Sequence, residues 1–171
     1  MKLVNPHEVF KTGVSYETAS ASLRNKNQPV QYAVQFAYPS LQLSFMALEI
    51  YLKCLQLILL GRMETGHELH KLFRKLPDSH KAALSERWAK AHANSPYQKL
   101  PADVTKNMPK TLYDTLRHAN FMHMHSRYPW ERNGNQNVFI AQEVPKLLYE
   151  HILGLRPEWT LPLVDMPKVA S

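Results

Sequence analysis

Two arginines and two histidines lie close together near the middle of the chain, at Arg117, His123, His125 and Arg127. Cleaving RNA without a metal needs a base for the ribose 2′-hydroxyl, an acid for the leaving oxygen and a cation for the charge on phosphorus. Histidine suits proton transfer near neutral pH, and arginine grips phosphate oxygens in a bidentate way. We therefore predict proton transfer by His123 and His125, with Arg117 or Arg127 as the phosphate clamp. The alternative is that these histidines are ordinary, satisfied polar residues.

Metal binding is another interpretation of the histidines, but their spacing does not favour it. His123 and His125 are two residues apart, so on a helix they point in nearly opposite directions. No glutamate follows them in the manner of a zincin motif. His67 and His70 are three apart and could share a face, although His67 is better read as ordering a helix start. The sequence therefore predicts neither a metal site nor a cofactor.

A second group of polar residues lies in the most hydrophobic part of the chain, residues 39–60. At ~100° per residue, four polar side chains fall within a narrow arc of this helix, namely Gln42, Glu49, Lys53 and Gln56. Large apolar side chains, Phe45 among them, share the same arc. This helix therefore carries polar groups on a face that should enter the core.

The predicted helix over residues 111–127 shows the same arrangement. Asn120, His123 and Arg127 lie within ~60° of one another, on the face that also carries its leucines. A buried charge must be paired, so we expect the two polar faces to meet and Glu49 to pair with Arg127. If these residues have no functional role, Glu49 and Arg127 would form a structural ion pair that fixes helix register, or the two polar faces would be an ordinary solvated boundary.

Helical spacing dominates the segments that must position these groups. Leucine and phenylalanine recur every three or four residues between 41 and 59, and Gly61 is a plausible stop. Other helices are predicted over 15–26, 31–38 with a kink or restart at Pro39, 67–76, 78–92 capped by Asp78, 111–127, and 141–153 closed by Gly154. Residues 94–109 contain three prolines and are expected to form a loop with a short helical turn.

Composition supports one all-α domain over residues 1–171. Hydrophobic residues make up 44% of the chain, charged residues 20%, and there are only five glycines, a balance typical of a folded helical protein. We predict an up-and-down bundle of four to six helices with its core at about 15–154. The proline-containing C-terminal tail, 155–171, is expected to be an extended strap or disordered.

Charge and cysteine content indicate where the protein works. The single cysteine, Cys54, fits a reducing cytoplasm, and we expect no secretory signal at the start of the chain. Polar residues interrupt the longest apolar stretch, so we expect no membrane span. The net charge of +7 would attract phosphate-bearing partners such as RNA or a nucleotide. The plain alternative is a soluble protein with an excess of lysine.

Three blocks of the sequence resemble the HEPN superfamily, helical bundles named for nucleotide binding in higher eukaryotes and prokaryotes. The blocks are SFMALEIYLK at 44–53, GHELHKLF at 66–73 and SRYPWE at 126–131. Many members are metal-independent ribonucleases of defence or toxin systems, whose motif is an arginine, four to six residues, then a histidine. Arg117 and His123 resemble that motif, with His118 in place of the usual asparagine. On a straight helix the two would point ~120° apart, so a shared site needs distortion or a dimer partner.

Other HEPN branches lack the nuclease motif, and the match of Glu49, Lys53, Arg127 and Tyr128 is closer to these. Asn120 would join this polar group. The resemblance implies binding of a nucleotide, of RNA or of a partner protein such as a nucleotidyltransferase. It also implies a homodimer that composes a site across its interface. We therefore expect a HEPN-like binding domain of a toxin or defence type of system, with a metal-independent ribonuclease as the alternative.

Overall fold

The computed structural model describes residues 4–24, 29–101, 105–106, 108–127 and 143–160, with the backbone alone at 33, 96, 97, 122 and 124–127. Within these ranges every regular element is helical, which confirms the all-α prediction. The helices are α1 (Pro6–Leu23), α2 (Val30–Gln35), α3 (Ala37–Leu60), α4 (Leu69–Arg74), α5 (Asp78–Ala93), α6 (Leu112–Arg127) and α7 (Glu143–Leu155). Two short 3-10 turns, Pro96–Lys99 and Pro157–Trp159, complete the described elements.

The long helix α3 occupies the centre of the bundle. It packs along α1 and also contacts α4, α6 and α7, while α5 packs on α6 and α7. One cluster of buried apolar side chains joins six of the helices, with Phe10, Leu48, Leu84, Leu116 and Ile152 all fully buried or nearly so. Removing each such side chain from water contributes about 1.5–3 kcal/mol, so this shared core holds the helices together.

The C-terminal end of α3 agrees with the sequence prediction, whereas the helix begins at Ala37 and not at the predicted Pro39. Pro39 lies in the first turn, where its missing N–H leaves no intrahelical hydrogen bond unmade. The preceding helix ends at Gln35, so the chain restarts as a helix at Ala37. At the other end Gly61 has a φ of 69° and its N–H donates to Leu57 O at 3.1 Å. Glycine suits this left-handed position because it has no Cβ.

The predicted start of the first helix, at residue 15, is wrong. α1 begins at Pro6, and the Asn5 side chain caps it by accepting a hydrogen bond from His7 N at 2.9 Å. An asparagine cap followed by a proline in the first helical position is a favourable helix start. The buried core consequently includes Phe10, before the predicted core boundary at residue 15.

Three other boundary predictions need correction. Asp78 does not cap α5: it is the first helical residue, after Pro77, and pairs with Lys81 at 2.7 Å. Gly154 lies inside α7, which continues to Leu155. The predicted helix over 67–76 is shorter, at Leu69–Arg74.

The described part of the C-terminal tail is neither extended nor disordered. Its Pro157–Trp159 segment forms a 3-10 turn. The Trp159 ring stacks on His7 with centroids 5.0 Å apart and lies 5.7 Å from Phe10, so the turn is packed on α1. Residues 161–171 lie outside the described part of the chain.

By length and composition, α3 is the one described helix able to cross a membrane. Half of its most apolar window is buried inside the fold, as in the core helix of a soluble protein. A single helix of this kind is weak evidence for a membrane span, and the cytoplasmic location stays a prediction.

Candidate functional site

The helices α3 and α6 contact each other at Gln42, Phe45 and His123. Gln42 Nε2 donates a hydrogen bond to the backbone oxygen of His123 at 3.0 Å. The Phe45 ring stands edge-on to the His123 ring, with centroids 5.4 Å apart and an interplanar angle of 81°. His123 therefore lies against the core helix α3.

Glu49 is the centre of a small charge cluster beside this contact. Its Oε1 atom lies 2.9 Å from Lys53 Nζ and 2.8 Å from His67 Nδ1. The side chains of Glu49 and Lys53 are only 13% and 15% exposed, whereas His67 is 77% exposed. The cluster thus joins α3 to the loop before α4. The Arg127 side chain lies outside the described part of the chain, so its pairing with Glu49 stays a prediction.

Two side chains of the predicted polar faces, Asn120 on α6 and Gln56 on α3, hold neighbouring segments in place. Asn120 Oδ1 accepts a hydrogen bond from Leu69 N, at 3.3 Å, and so satisfies a free N–H at the start of α4. Gln56, fully buried, donates to Leu72 O and accepts from Glu64 N, each at 2.9 Å. These bonds fix α4 and its preceding loop against α3 and α6.

Arg117 lies elsewhere on α6, in a surface groove that the spacing of the polar residues does not predict. The groove has a volume of about 480 Å³ and is lined by Lys106, Met108, Pro109, Lys110, Asp114, Arg117, His118 and Phe121. We call it the α6 groove. One wall is α6 itself, where four of these residues share a face at helical spacing, and the other four belong to the segment before the helix.

The α6 groove is electropositive. Its lining includes three permanent cations, on Lys106, Lys110 and Arg117, and one carboxylate, on Asp114. That carboxylate accepts a hydrogen bond from Thr111 Oγ1 at 2.7 Å, while Thr111 Oγ1 accepts from Asp114 N at 3.0 Å. Asp114 therefore takes part in capping α6, and the lysines and the arginine dominate the groove's field.

Two histidines have shifted proton affinities on this side of the molecule. Burial lowers the pKa of His118 below its usual range, so its imidazole is neutral at pH 7. The pKa of His70, on α4, is lowered mainly by burial, with Lys71, Arg117 and Arg74 adding to the effect against the opposing influence of Glu68. Arg117 therefore lies near His70 as well as in the α6 groove.

The structure places the predicted catalytic residues in two environments. Arg117 lines the α6 groove together with His118, whereas the His123 ring packs against Phe45 on α3. The side chains of His125 and Arg127, and all of Tyr128, lie outside the described part of the chain. Arg117 and His123 of one chain thus lie in different surroundings, so their shared site across a homodimer stays a prediction, and the histidine that lines the groove with Arg117 is His118.

The described chain also contains a free thiol, at Cys54. Cys54 is fully buried, its Sγ donates to Pro6 O at 3.4 Å, and burial raises its pKa to about 12, so the thiol stays protonated. Among the described residues, no three His, Cys, Asp or Glu side chains are grouped so that they could hold a metal ion.

Comparison with known proteins places the chain in no family: no family model, curated protein or solved structure matches it. The HEPN resemblance therefore stays an expectation drawn from the sequence. The chemistry of the α6 groove must be argued from its own residues.

Proposed function

We propose that this protein binds a phosphate-bearing ligand, RNA or a nucleotide, in the α6 groove. The observation that carries the proposal is the concentration of Lys106, Lys110 and Arg117 around one open cleft with a single carboxylate. Cations that neutralise phosphates release condensed counterions, which favours binding. The net charge of the whole chain, +7, adds a long-range attraction for the same ligands.

The arrangement of the cations suits a phosphate chain. Lys106 and Lys110 come from the segment before α6, and Arg117 comes from the second turn of α6. Charges that approach from two chain segments can contact successive phosphates of one ligand. Arg117 is exposed, so its guanidinium is accessible for bidentate hydrogen bonds to phosphate oxygens.

Fluorescence anisotropy with labelled RNA and with ATP, over a series of salt concentrations, tests the proposal. We expect Arg117→Gln and Lys110→Gln each to weaken binding about tenfold and to reduce the salt-dependence slope by about 1. Lys90→Gln is the control, because Lys90 is an exposed cation on α5 that is paired with Glu86. Equal affinity in the groove variants and in the wild type would contradict the proposal.

A metal-independent ribonuclease is the second candidate, and the position of His118 favours it. A neutral imidazole is the form that accepts a proton from a ribose hydroxyl, and His118 lies beside the phosphate-binding Arg117. RNA should be incubated, in the presence of a chelator, with the wild type, His118→Ala and His123→Ala. Cleavage that is lost in either variant supports catalysis, and its absence from the wild type contradicts it.

We propose two further properties on the HEPN resemblance alone. The first is binding of a partner protein, such as a nucleotidyltransferase, and the second is formation of a homodimer. Pull-down experiments test the first, and light scattering tests the second. A strict monomer at high concentration would contradict the homodimer.

A further inference from the structure

Arg117 lies at the edge of α6 where the α6 groove meets α4. Tyr113 is four residues before Arg117 and Asn120 is three residues after it, so the three side chains lie within ~60° of one another around the helix. The Tyr113 ring stands edge-on to the His70 ring of α4, with centroids 5.6 Å apart. Asn120 Oδ1 accepts the hydrogen bond from Leu69 N at the start of α4. Arg117 therefore lies beside α4 while it also lines the groove.

Another cleft lies along α4 and the loop before it. It has a volume of about 160 Å³ and is lined by Glu64, Gly66, Glu68, Lys71, Leu72, Arg74 and Lys75. We call it the α4 cleft. Lys71 pairs with Glu68, whereas Arg74 and Lys75 are exposed and form no ion pair within the described residues. Two cations of this cleft are therefore accessible to a ligand.

The α4 cleft and the α6 groove are close to each other. The helix α4 packs directly on α6. Burial is the main cause of the lowered pKa of His70, and the charges of Arg117 and Arg74 add to it. Charges act on one another mainly over distances shorter than about 10 Å at ordinary ionic strength. Arg117 of the groove and Arg74 of the cleft therefore both lie near the His70 ring.

We propose that Arg74 and Lys75 form a second phosphate subsite and that the ligand is a nucleic-acid strand, which crosses from the α6 groove to the α4 cleft. This rests on the proposed function, since the strand is a ligand of the same groove. A mononucleotide carries its phosphates at one end, so it can bring them to only one of the two places. A strand has a phosphate at every nucleotide, and cations along its path can neutralise several of them.

The cations of these two places are more available than those of the cleft between α5 and α7. Five of them form no ion pair within the described residues, namely Lys106, Lys110, Arg117, Arg74 and Lys75. In the α5–α7 cleft, Arg87 and Lys146 pair with Glu150, and Lys90 pairs with Glu86. A paired cation must leave its carboxylate before it can bind a phosphate. The strand is therefore expected on the side of α4 and α6.

Apolar surface beside the cations favours nucleic acid over inorganic polyphosphate. Met108 is partly exposed and lines the α6 groove with Lys106 and Lys110. The sugars and bases between successive phosphates can cover such surface, whereas polyphosphate has no apolar group. Contacts to phosphates carry no sequence information, so RNA and DNA strands of any sequence should bind alike.

The test measures the affinity of the full chain for ATP, for single-stranded RNA and DNA from the dinucleotide upward, and for polyphosphate, all at fixed ionic strength. We expect the affinity for strands to rise steeply until they reach both places, and only slightly beyond that length. The double variant Arg74→Gln/Lys75→Gln should bind long strands about tenfold more weakly, with a salt-dependence slope lower by about 1.4. Its affinity for ATP should equal that of the wild type.

Lys90→Gln/Lys146→Gln is the matched control for the double variant. It also removes two positive charges from exposed side chains, but on the side of α5 and α7. A loss of affinity that both double variants share reflects only the lower net charge. Thermal unfolding checks that the α4 variant is folded, because cations in the last turn also stabilise a helix.

Arg117→Gln separates this inference from the proposed function. If Arg117→Gln weakens binding of ATP and RNA but the α4 variant binds long RNA as well as its control does, the groove binds phosphate and the strand inference is wrong. An equal loss for ATP and long RNA in the α4 variant, an affinity independent of strand length, or polyphosphate binding as tight as that of RNA would also overturn it. If neither variant binds any ligand more weakly, the proposed function fails as well.

Discussion

Gly13 on α1 lies directly against the ring of Tyr51 on α3: a Cβ atom at position 13 would come within 2.6 Å of Tyr51 Cε1. Tyr51 is fully buried, and its hydroxyl donates a hydrogen bond to Glu17 Oε2 at 2.6 Å. Burial raises the pKa of Glu17, and burial also raises the pKa of Tyr51. The Tyr51 ring therefore packs against Gly13, and its hydroxyl is fixed by Glu17. Because Gly13 has no side chain, α1 and α3 can pack this closely.

Gly13→Ala should destabilise the protein by about 1–3 kcal/mol, the usual cost of extra volume in a packed core. This is opposite to the effect of alanine on an isolated helix, where it is favoured over glycine by about 1 kcal/mol. Denaturant unfolding followed by circular dichroism measures the change.

Gly154→Ala is the matched control for this substitution. Gly154 also lies in a helix, α7, but a Cβ there would meet no atom within 4 Å. We expect no loss of stability, and up to about 1 kcal/mol of gain from helix propensity. A Gly13→Ala variant as stable as Gly154→Ala would show that the α1–α3 contact is not as tight as described.

The Glu49–Lys53 pair should be coupled more strongly than an exposed pair of the same geometry. A double-mutant cycle with Glu49→Gln and Lys53→Gln should give a coupling free energy of about 1–2 kcal/mol. This value lies between those of exposed and of buried ion pairs. Both side chains are mostly shielded from water, so loss of one partner leaves the other charge poorly solvated.

Glu86 and Lys90 provide the control for this cycle. They have the same i,i+4 spacing and the same order along the helix, at 2.7 Å, but both are about 70% exposed. Water screens such a pair, so its coupling should be much smaller than that of Glu49 and Lys53. Equal couplings would mean that the Glu49 cluster is effectively solvated.

Acid should destabilise the contact between α5 and α7. His80 Nδ1 lies 3.1 Å from His151 Nε2, and the pKa of His151 is lowered by burial first, then by His80 and Arg87. The unfolded chain therefore binds a proton at His151 more readily than the folded protein does. The stability contributed by neutral His151 is present above pH ~6.5 and is lost as the pH falls toward its lower folded value.

Thermal unfolding between pH 8 and pH 5 tests this dependence in the wild type and in His151→Gln. The change in the free energy of unfolding with pH that is due to His151 should be less than about 1.4 kcal/mol per pH unit, because the imidazole is partly exposed. His70 and His118 have pKa shifts in the same direction, so the variant should show a shallower slope, not a flat profile. An identical slope in both proteins would contradict a role for the histidine pair.

Helix type and the C-terminal end of α3 are predictable because they depend on neighbours along the chain, whereas the start of α3 at Ala37 differs from the predicted Pro39. The leucine spacing of α3, the position of Pro39 in its first turn and the left-handed Gly61 are local features. The start of α1 depends on another local signal, the Asn5 cap followed by Pro6, which the spacing of apolar residues does not reveal. The inward direction of Gln42 and Glu49 followed from the same periodicity.

Tertiary structure decided which partners these faces meet. Glu49 contacts His67 in the loop before α4, and Asn120 caps α4, and both contacts join residues that are far apart in sequence. The α6 groove exists because the segment carrying Lys106 and Lys110 lies beside the face of Arg117 and Phe121. The sequence by itself determined the helices and their amphipathic faces, since backbone hydrogen bonds and side-chain periodicity act over a few residues. Which face is covered and which lines a groove depends on long-range packing, and only the folded chain specifies it.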